Sequence, residues 1–467
     1  MTKICIINPP RLLMKGDAIC VYFPVGIAHL ATYLKEKGME VMIIDMIAER
    51  RNILIQFGDL YRNGMTDEEL ILKLKNFKPD FVGISSMFTA QSDNLHHIAK
   101  VIKQNINTNI VVGGVHVSSC VHKVLEDKNI DYAIVGEGEE AFLNIIKNGK
   151  YSVDKIYTSK VDIKTLPIPD YSLFNMNKYF ETLSPWTYIE KRCMSIVTSR
   201  GCPYKCTFCS IHNSMGRNWR GKNAKDVLSE LKILKEKYSV EHIFIEDDNI
   251  TFDEERAIEI FNGMSEIELT WETPNGIRVD TLTPKLLDAI KASGCKKLVI
   301  SIESGCQKFL DKVINKKLDL EKVKEVAKLI YERDIDLASF YIFGIPGETK
   351  ETLTESVNYA KYLAKNYGVR PYFLFASPLP NTDMWRNAEK NGYLKTNIIP
   401  TDYVRRLNLL YFPSISMEEM IKIQKKAYND IIKILLLHPK SLLRSDTLLR
   451  IKRKIFPSKR FVVQEYV

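Results

Sequence analysis

The sequence predicts an α/β chain in which a doubly wound parallel sheet precedes an open (β/α)6 barrel and a helical carboxyl-terminal segment. Three observations predict it. Short apolar runs of strand length alternate with helix-length amphipathic stretches over residues 1–385, the rhythm of β-α-β units. Most of those runs stop at Gly, Ser, Asn or an acidic residue, where parallel sheets carry their ligand contacts. Gly (22) and Pro (18) are ordinary for 467 residues, and a 45% hydrophobic content is enough for more than one core.

Residues 1–150 read as the doubly wound unit. Ile4 to Ile7 is its first strand, stopped by Asn8-Pro9-Pro10. Gly26 to Lys37 is helical by apolar spacing and ends at Gly38. Val41 to Ile44 is the second strand, ending at Asp45, and Phe81 to Ile84 the third, ending in Ser85-Ser86. Ile110 to Val112 is the fourth, ending in Gly113-Gly114, and Tyr132 to Val135 the fifth, ending in Gly136-Glu137-Gly138. Ligands of such sheets sit beyond the carboxyl ends of the strands, which makes Asn8, Asp45, Ser85, Ser86, Gly113, Gly114 and Gly136 candidates. The first strand lacks G-x-G-x-x-G, which argues against a dinucleotide. Residues 151–190 read as a linker, with Leu166-Pro167-Ile168-Pro169-Asp170 extended and turn-rich.

Residues 191–385 repeat the alternation with longer spacing. The expected strands are Met194–Thr198, His242–Glu246, Glu268–Glu272, Lys297–Ile302, Asp336–Phe343 and Arg370–Phe375. Parallel strands with helices outside curl into an open barrel, again with the chemistry at the strand ends. Residues 386–467 read as mainly helical, with Pro400 and Pro413 breaking an irregular stretch. Within 440–460, Lys440, Arg444, Arg450, Lys452, Arg453, Lys454, Lys459 and Arg460 face one acid, Asp446, and supply much of the net charge of +10. The plain reading is a solvated basic tail, and the alternative is peripheral contact with an anionic membrane. No finger spacing, RNP-like segment or leucine zipper points to nucleic acid. Met1-Thr2-Lys3 runs straight into a strand, and no 18-residue apolar stretch appears. The expectation is therefore a cytoplasmic protein, at most peripheral at the inner membrane face.

Nine cysteines without an export signal argue against a disulfide framework. Three stand together in Cys202-Pro203-Tyr204-Lys205-Cys206-Thr207-Phe208-Cys209, just after an expected strand. Thiolates are soft ligands for iron–sulfur clusters or zinc. Zinc favours four ligands in two tight pairs, and His212 is poorly spaced to complete such a set. Three thiolates on a [4Fe–4S] cluster leave one iron open to chelate a substrate.

At this motif the sequence resembles the radical S-adenosylmethionine family. The resemblance implies that Cys202, Cys206 and Cys209 ligate a [4Fe–4S] cluster whose open iron takes S-adenosylmethionine. It also implies an external one-electron reductant such as flavodoxin or ferredoxin, and cleavage of the sulfonium to a 5'-deoxyadenosyl radical. Phe208 is expected beside the adenine. Four later segments agree with the family. In Glu246-Asp247-Asp248-Asn249, Glu246 and Asp247 are placed to accept from the cofactor ammonium or to cap the next helix. In Asn275-Gly276-Ile277-Arg278, Arg278 pairs with a carboxylate of cofactor or substrate, or makes a structural salt bridge. Ser301-Ile302-Glu303-Ser304-Gly305 puts Glu303 and Ser304 near the methionyl amine or ribose. Phe343-Gly344-Ile345-Pro346-Gly347 offers Ile345 and Pro346 as an apolar face for the adenine.

Before that barrel, the run Phe23-Pro24-Val25-Gly26-Ile27-Ala28-His29-Leu30, then Asp45, Ser85-Ser86, Gly113-Gly114-Val115-His116 and Gly136-Glu137-Gly138-Glu139, resembles the Rossmann-like cobalamin-binding domain of cobalamin-dependent radical enzymes. The resemblance adds Val25, Gly26, His116 and Glu137 to the expected cofactor contacts, and His29 could also face the corrin. The Asp-x-His-x-x-Gly that supplies a lower axial histidine is absent, which implies cobalamin held without a protein ligand. The leading implication is methylation of an unactivated carbon by way of the 5'-deoxyadenosyl radical and methylcobalamin. The alternatives are cyclisation, rearrangement or oxygenation with the same cofactors, or a domain that no longer binds cobalamin. The stretch from Ala427 to Lys440 is similar to the tail helix of members that modify tetrapyrroles or hopanoids, which implies a small-molecule or lipid-like substrate. No acid–base residue is singled out; Tyr341 and Tyr372 lie in expected barrel strands.

Overall fold

A computed structural model describes residues 1–148, 154–181 and 192–438. The first part of the chain supplies strands β1 (Lys3–Asn8), β2 (Arg11–Leu13), β3 (Glu40–Asp45), β4 (Leu54–Phe57), β5 (Leu60–Asn63), β6 (Phe81–Ser85), β7 (Asn109–Gly113), β8 (Tyr132–Gly136) and β9 (Ile156–Ser159). Six of them form one parallel sheet in the order β3-β1-β6-β7-β8-β9. Strand alternation fills two cores. Ile4 and Ile6 of β1 pack under the helices Val25–Glu36 and Glu139–Asn148, while Cys5 and Ile7 pack under Asp67–Phe77, Ser92–Asn105 and Val115–Val124. The sheet grows one way from β1 to β3 and the other way from β1 to β6. That reversal is a topological switch point, and it lies at Asn8 and Ser85.

Two features differ from the sequence-based expectation. The segment 151–190, expected as a linker, contributes β9 to the sheet edge. Its Ile163 and Leu166 join the core under Val25–Glu36, and its Tyr171, Met176 and Tyr179 join the barrel core. β9 is half exposed and only four residues long, so its periodicity is too weak to read without its partner β8. A small antiparallel sheet, β2-β5-β4, was also unexpected. Its hairpin turns at Gly58-Asp59, between Phe57 and Leu60.

The second unit contains all six expected strands: β10 (Cys193–Ile196), then a two-stranded ribbon of β11 (Ser199–Arg200) and β12 (Arg220–Gly221), then β13 (His242–Ile245), β14 (Thr270–Glu272), β15 (Cys295–Glu303), β16 (Asp336–Phe343) and β17 (Arg370–Phe375). The sheet runs β10-β13-β14-β15-β16-β17, parallel throughout, with β10 and β17 as the outermost strands of an open barrel. Ile243, Ile245, Trp271, Leu298, Ile300, Ile302, Tyr341, Phe343 and Phe373 point outward into the core beneath the helices. Tyr341 is thus packing, whereas Tyr372 lies on the other face, its ring 5.8 Å from that of Phe340.

Beyond the barrel come the helices Asp383–Lys390, Pro400–Val404 and Met417–Leu437. Arg405 and Arg406 pair with Asp59 and Asp17 of the first unit, and Val404 packs with Leu12 and Leu60. No helix among the described residues is long and apolar enough to cross a membrane. The basic tail, 440–460, lies outside the described residues.

Candidate active site

The three clustered cysteines lie on a loop whose base is the β11–β12 ribbon, with Arg200 opposite Arg220. Gly201 turns the chain into the loop with φ +87°, and a Cβ there would stand 2.4 Å from the Asn218 carbonyl oxygen, so only glycine fits. The other side of the loop is pinned by its surroundings. The Thr207 N–H donates to the Ile314 carbonyl (3.0 Å), the Thr207 hydroxyl to the Val313 carbonyl (2.9 Å), and the Met384 N–H to the Thr207 carbonyl (2.8 Å). The Arg278 guanidinium lies 3.6 Å over the Tyr204 ring. The protein's own contacts thus hold the loop at Gly201 and Thr207.

All three thiols are partly buried, and burial pushes each of them up; Cys209 reaches about 12, with Cys206, Asp248 and Cys202 adding to the rise. Lys316 and Arg278 pull Cys206 back down. Three thiols that sense one another's charge in a partly dry site need a cationic centre to become thiolates together. That donor set fits a multi-iron cluster with one thiolate per iron.

The barrel strand ends surround this loop, but several expected contacts are spent within the protein. Asp247 accepts from the Thr198 N–H (2.6 Å), the Thr198 hydroxyl (2.7 Å) and the Ser199 hydroxyl, and burial raises its carboxyl. These bonds anchor the strand that leads to the cysteines. The neighbouring Asp248, absent from the expected set, raises Cys202 and Cys209 of the loop, as Glu303 raises Cys206. The surface of Asp248 is exposed, yet the protein packed around it, and then Asp247, push its carboxyl up to about 7. Glu246 accepts from the Ser195 hydroxyl at 2.6 Å. Arg278 is held by a bidentate pair with Asp280 (2.8 and 2.7 Å), the structural alternative. Ser304 shares a hydrogen bond with Ser356 and accepts from the Cys306 N–H, tying β15 to the helix Lys350–Tyr367. Glu303 sits at a register shift with φ +73°, a left-handed conformation that is costly outside glycine. It accepts from Lys316 at 2.9 Å. Phe208 is partly buried against the barrel core, and Ile345 and Pro346 are buried.

At the first sheet the outcome is similarly divided. Asp45 caps the helix Met46–Glu49 and accepts from Tyr179 at 2.9 Å, so it is a buried fixture. Val25 packs in the shared core, and Gly26 is exposed with open space at its Cβ position. His29 lies buried 3.3 Å from Lys222 of the second unit, and Glu137 is bound by Arg200 and Arg220. What remains at the strand ends forms a cradle. The Ser86 hydroxyl is buried and lacks a hydrogen-bond partner among the described residues. Gly114 has φ +109°, and a Cβ there would lie 2.5 Å from the Ser86 carbonyl oxygen. Gly113 and Ser85 end their strands side by side. His116 lies near Thr89 (3.2 Å), and burial lowers it to about 4, so it is neutral near pH 7. Gly136 has φ +91° and donates its N–H to the Ser118 hydroxyl. An orphaned hydroxyl, a glycine that lets the backbone pass closely and a neutral imidazole suit a large neutral ring with amide edges.

The sequence-based reading missed Met87 and Phe88, which are 51% and 67% exposed just beyond Ser86. It also missed Tyr22, whose hydroxyl is raised by burial, then by Cys20, and senses Glu246 across the domain boundary. The only signal was position, since Met87 and Phe88 follow a strand-end pair directly.

Comparison with known proteins agrees with this arrangement. Residues 196–360 match the model of the Radical SAM superfamily, and residues 19–146 match that of the B12 binding domain. The chain is 31% identical over 444 residues to the cytidylyl-2-hydroxyethylphosphonate methyltransferase of Streptomyces wedmorensis, covering 84% of this chain and 82% of the relative. It is 30% identical to an uncharacterized methyltransferase of Pyrococcus horikoshii, covering 91% of each. Among solved structures, the radical S-adenosylmethionine methyltransferase TsrM from Kitasatospora setae, with cobalamin and a [4Fe–4S] cluster bound, superposes with a TM-score of 0.68 at 15% identity, over 95% of this chain and 90% of that one. The cobalamin-dependent radical enzyme OxsB, with aqua-cobalamin and S-adenosylmethionine bound, gives a TM-score of 0.69 at 16% identity, over 97% and 75%. At those identities the structures speak for the fold alone. With both units matched in sequence and two relatives of at least 30% identity aligned over more than four fifths of their length, the chain belongs to the cobalamin-binding radical S-adenosylmethionine enzymes.

Proposed function

We propose that this enzyme transfers a methyl group to an unactivated carbon of a small molecule held between the two sets of strand ends. The observation that carries the reading is the cysteine loop itself, pinned on one side by barrel residues and on the other by the strand ends of the first sheet. When bound, the cluster with S-adenosylmethionine supplies a radical able to take hydrogen from an unreactive C–H bond, and cobalamin supplies the methyl group.

The chain's own residues do the placing. Cys202, Cys206 and Cys209 hold the cluster. Asp248 and Glu246 accept from the ammonium of S-adenosylmethionine, and Phe208, Ile345 and Pro346 wall its adenine. Glu303 acts with its Lys316 partner on the same side. Ser86, Gly114 and His116 hold the corrin edge, with Asn8 at the switch point. Phe340 and Tyr372, inside the barrel, and Tyr22, from the first unit, exclude water from the reacting carbon. An external one-electron donor of the flavodoxin or ferredoxin class completes the system.

The test is anaerobic purification, iron reconstitution and incubation with hydroxocobalamin. The expected result is close to one cobalamin per chain, and 5'-deoxyadenosine on reduction with S-adenosylmethionine. An intact cluster without bound cobalamin would overturn methyl transfer from cobalamin. A product of unchanged mass, once a substrate is found, would replace methylation by rearrangement.

A further inference from the structure

Both arginines of the ribbon beneath the cysteine loop reach away from the barrel. The Arg200 Nη1 donates to Glu137 Oε2 (3.1 Å) and Glu139 Oε2 (3.3 Å), and its Nη2 donates to Glu139 Oε1 (2.7 Å). Arg220 donates to both oxygens of Glu137, one through Nη1 at 3.2 Å, and to the Val161 carbonyl at 2.9 Å. The side chains of Arg200, Glu137 and Glu139 are 7%, 1% and 4% exposed, and that of Arg220 is 21%. Two cations thus meet two anions in a nearly dry seam, and every carboxylate oxygen is engaged. Lys222, two residues past Arg220, continues the seam to Glu230 (2.9 Å) and to His29 of the first unit (3.3 Å). The loop touches the first unit elsewhere: Asn213 donates to the Ser119 hydroxyl of the helix Val115–Val124 at 3.1 Å, and at the same strand end a Cβ on Gly136 would stand 3.3 Å from the Ser214 carbonyl oxygen.

A buried ion pair is a poor source of net stability, because desolvating the charges consumes most of the attraction. Its distinctive property is direction, since the planar fork of arginine meets a carboxylate in one geometry. Here the forks leave the two strands that bracket the cysteines and end on the Gly136–Glu139 turn beside the first-sheet cradle. We propose that Arg200, Arg220, Glu137 and Glu139 are positioning residues that lock the cysteine loop to the strand ends of the first sheet. They set the separation and orientation of the two cofactor sites, a role that rests on reading 202–209 as the cluster loop. None of the four touches the thiols, and each acts through the ribbon.

The test compares the full-length parent with Arg200→Met, Arg200→Lys and the isosteric Glu139→Gln. Amide hydrogen exchange is followed across 201–219 in the iron-free chain, and the electron paramagnetic resonance spectrum of the reduced cluster after reconstitution. The expected result is exchange across 201–219 faster by about tenfold in Arg200→Met, with the barrel strands unchanged, because an uncompensated buried charge opens its own neighbourhood first. Arg200→Lys restores part of the protection, since it keeps the charge and loses the fork. The cluster signal broadens in Arg200→Met and Glu139→Gln at parental iron content. If Arg200→Met does not fold, Glu139→Gln decides. Parental exchange and a parental signal in the folded variants would overturn the proposal. A parent chain that takes up no iron would instead overturn the cluster reading, and the iron-free exchange would still decide the lock.

Discussion

Asp247 and Asp248 leave β13 in succession, and their surroundings divide them. Asp247 is 4% exposed and takes three hydrogen bonds from Thr198 and Ser199, whereas Asp248 has no hydrogen-bonding partner among the described residues and is held up near 7. Asp247→Asn would turn an amide donor toward groups that already donate, so the cofactor-free chain should lose about 2–3 kcal/mol of stability. Asp248→Asn should leave the thermal midpoint close to that of the parent, yet weaken S-adenosylmethionine binding by about tenfold, the worth of one exposed charge-assisted contact. Thermal melts and equilibrium dialysis separate the two, and a stable Asp247→Asn that fails to bind the cofactor would reverse the assignment. The sequence placed both carboxylates at a strand end. It could not say which of them points into the cleft, because strand alternation ends with Ile245 and the following turn sets each direction anew.

β17 is an edge strand, and an open barrel must protect that edge. The long helix Met417–Leu437 does so with side chains: the Phe373 N–H donates to the Tyr428 hydroxyl (2.8 Å), and the Gln424 amide donates to the Phe373 carbonyl (2.7 Å). The helix stands on a capping box at Ser416 and Glu419, and it buries Met420, Ala427 and Ile431. Tyr428→Phe combined with Gln424→Ala should cost about 2 kcal/mol, near 1 kcal/mol per lost hydrogen bond, and should raise concentration-dependent association through the exposed edge. Analytical ultracentrifugation and a denaturant titration read both effects, and an unchanged, monodisperse double variant would show the cap to be incidental. The apolar runs that became β13, β15 and β16 were legible because both faces of a parallel sheet are covered. β9 and the β4–β5 hairpin were not, because their exposed and polar residues carry no clear period and their pairing is tertiary. The Gly58-Asp59 turn was a readable hairpin signal, but its flanks were too short to stand out.

The first unit keeps the two cores that flank its sheet, but one end of it shares the interior of the second unit. One contiguous core runs from Val21, Phe23, Val25 and Ala28 of the first unit, through Tyr171, Met176 and Tyr179 of the connecting segment, to Leu231, Ile243 and Ile260 of the second. The seam of Arg200, Glu137 and Glu139 lies beside it, and Arg405–Asp59 and Arg406–Asp17 fasten the carboxyl-terminal segment back across the first unit. Separating the units would expose that apolar core and strand buried charges, so partial unfolding of one unit is costly for the other. Sequence patterning finds elements one at a time. This continuity was invisible to it, because each contributing residue reads as the ordinary inward face of its own helix or strand. The expected consequence is a single cooperative endotherm for the full chain, although each half is large enough to melt alone. Cobalamin, bound by the first unit, should then shift the whole transition, stabilising the chain by about 2.7 kcal/mol at 100 times its Kd. Scanning calorimetry with and without hydroxocobalamin tests this. Two resolved transitions, only one of which moves with cobalamin, would mean that the shared core is a contact between independent bodies and not a common interior.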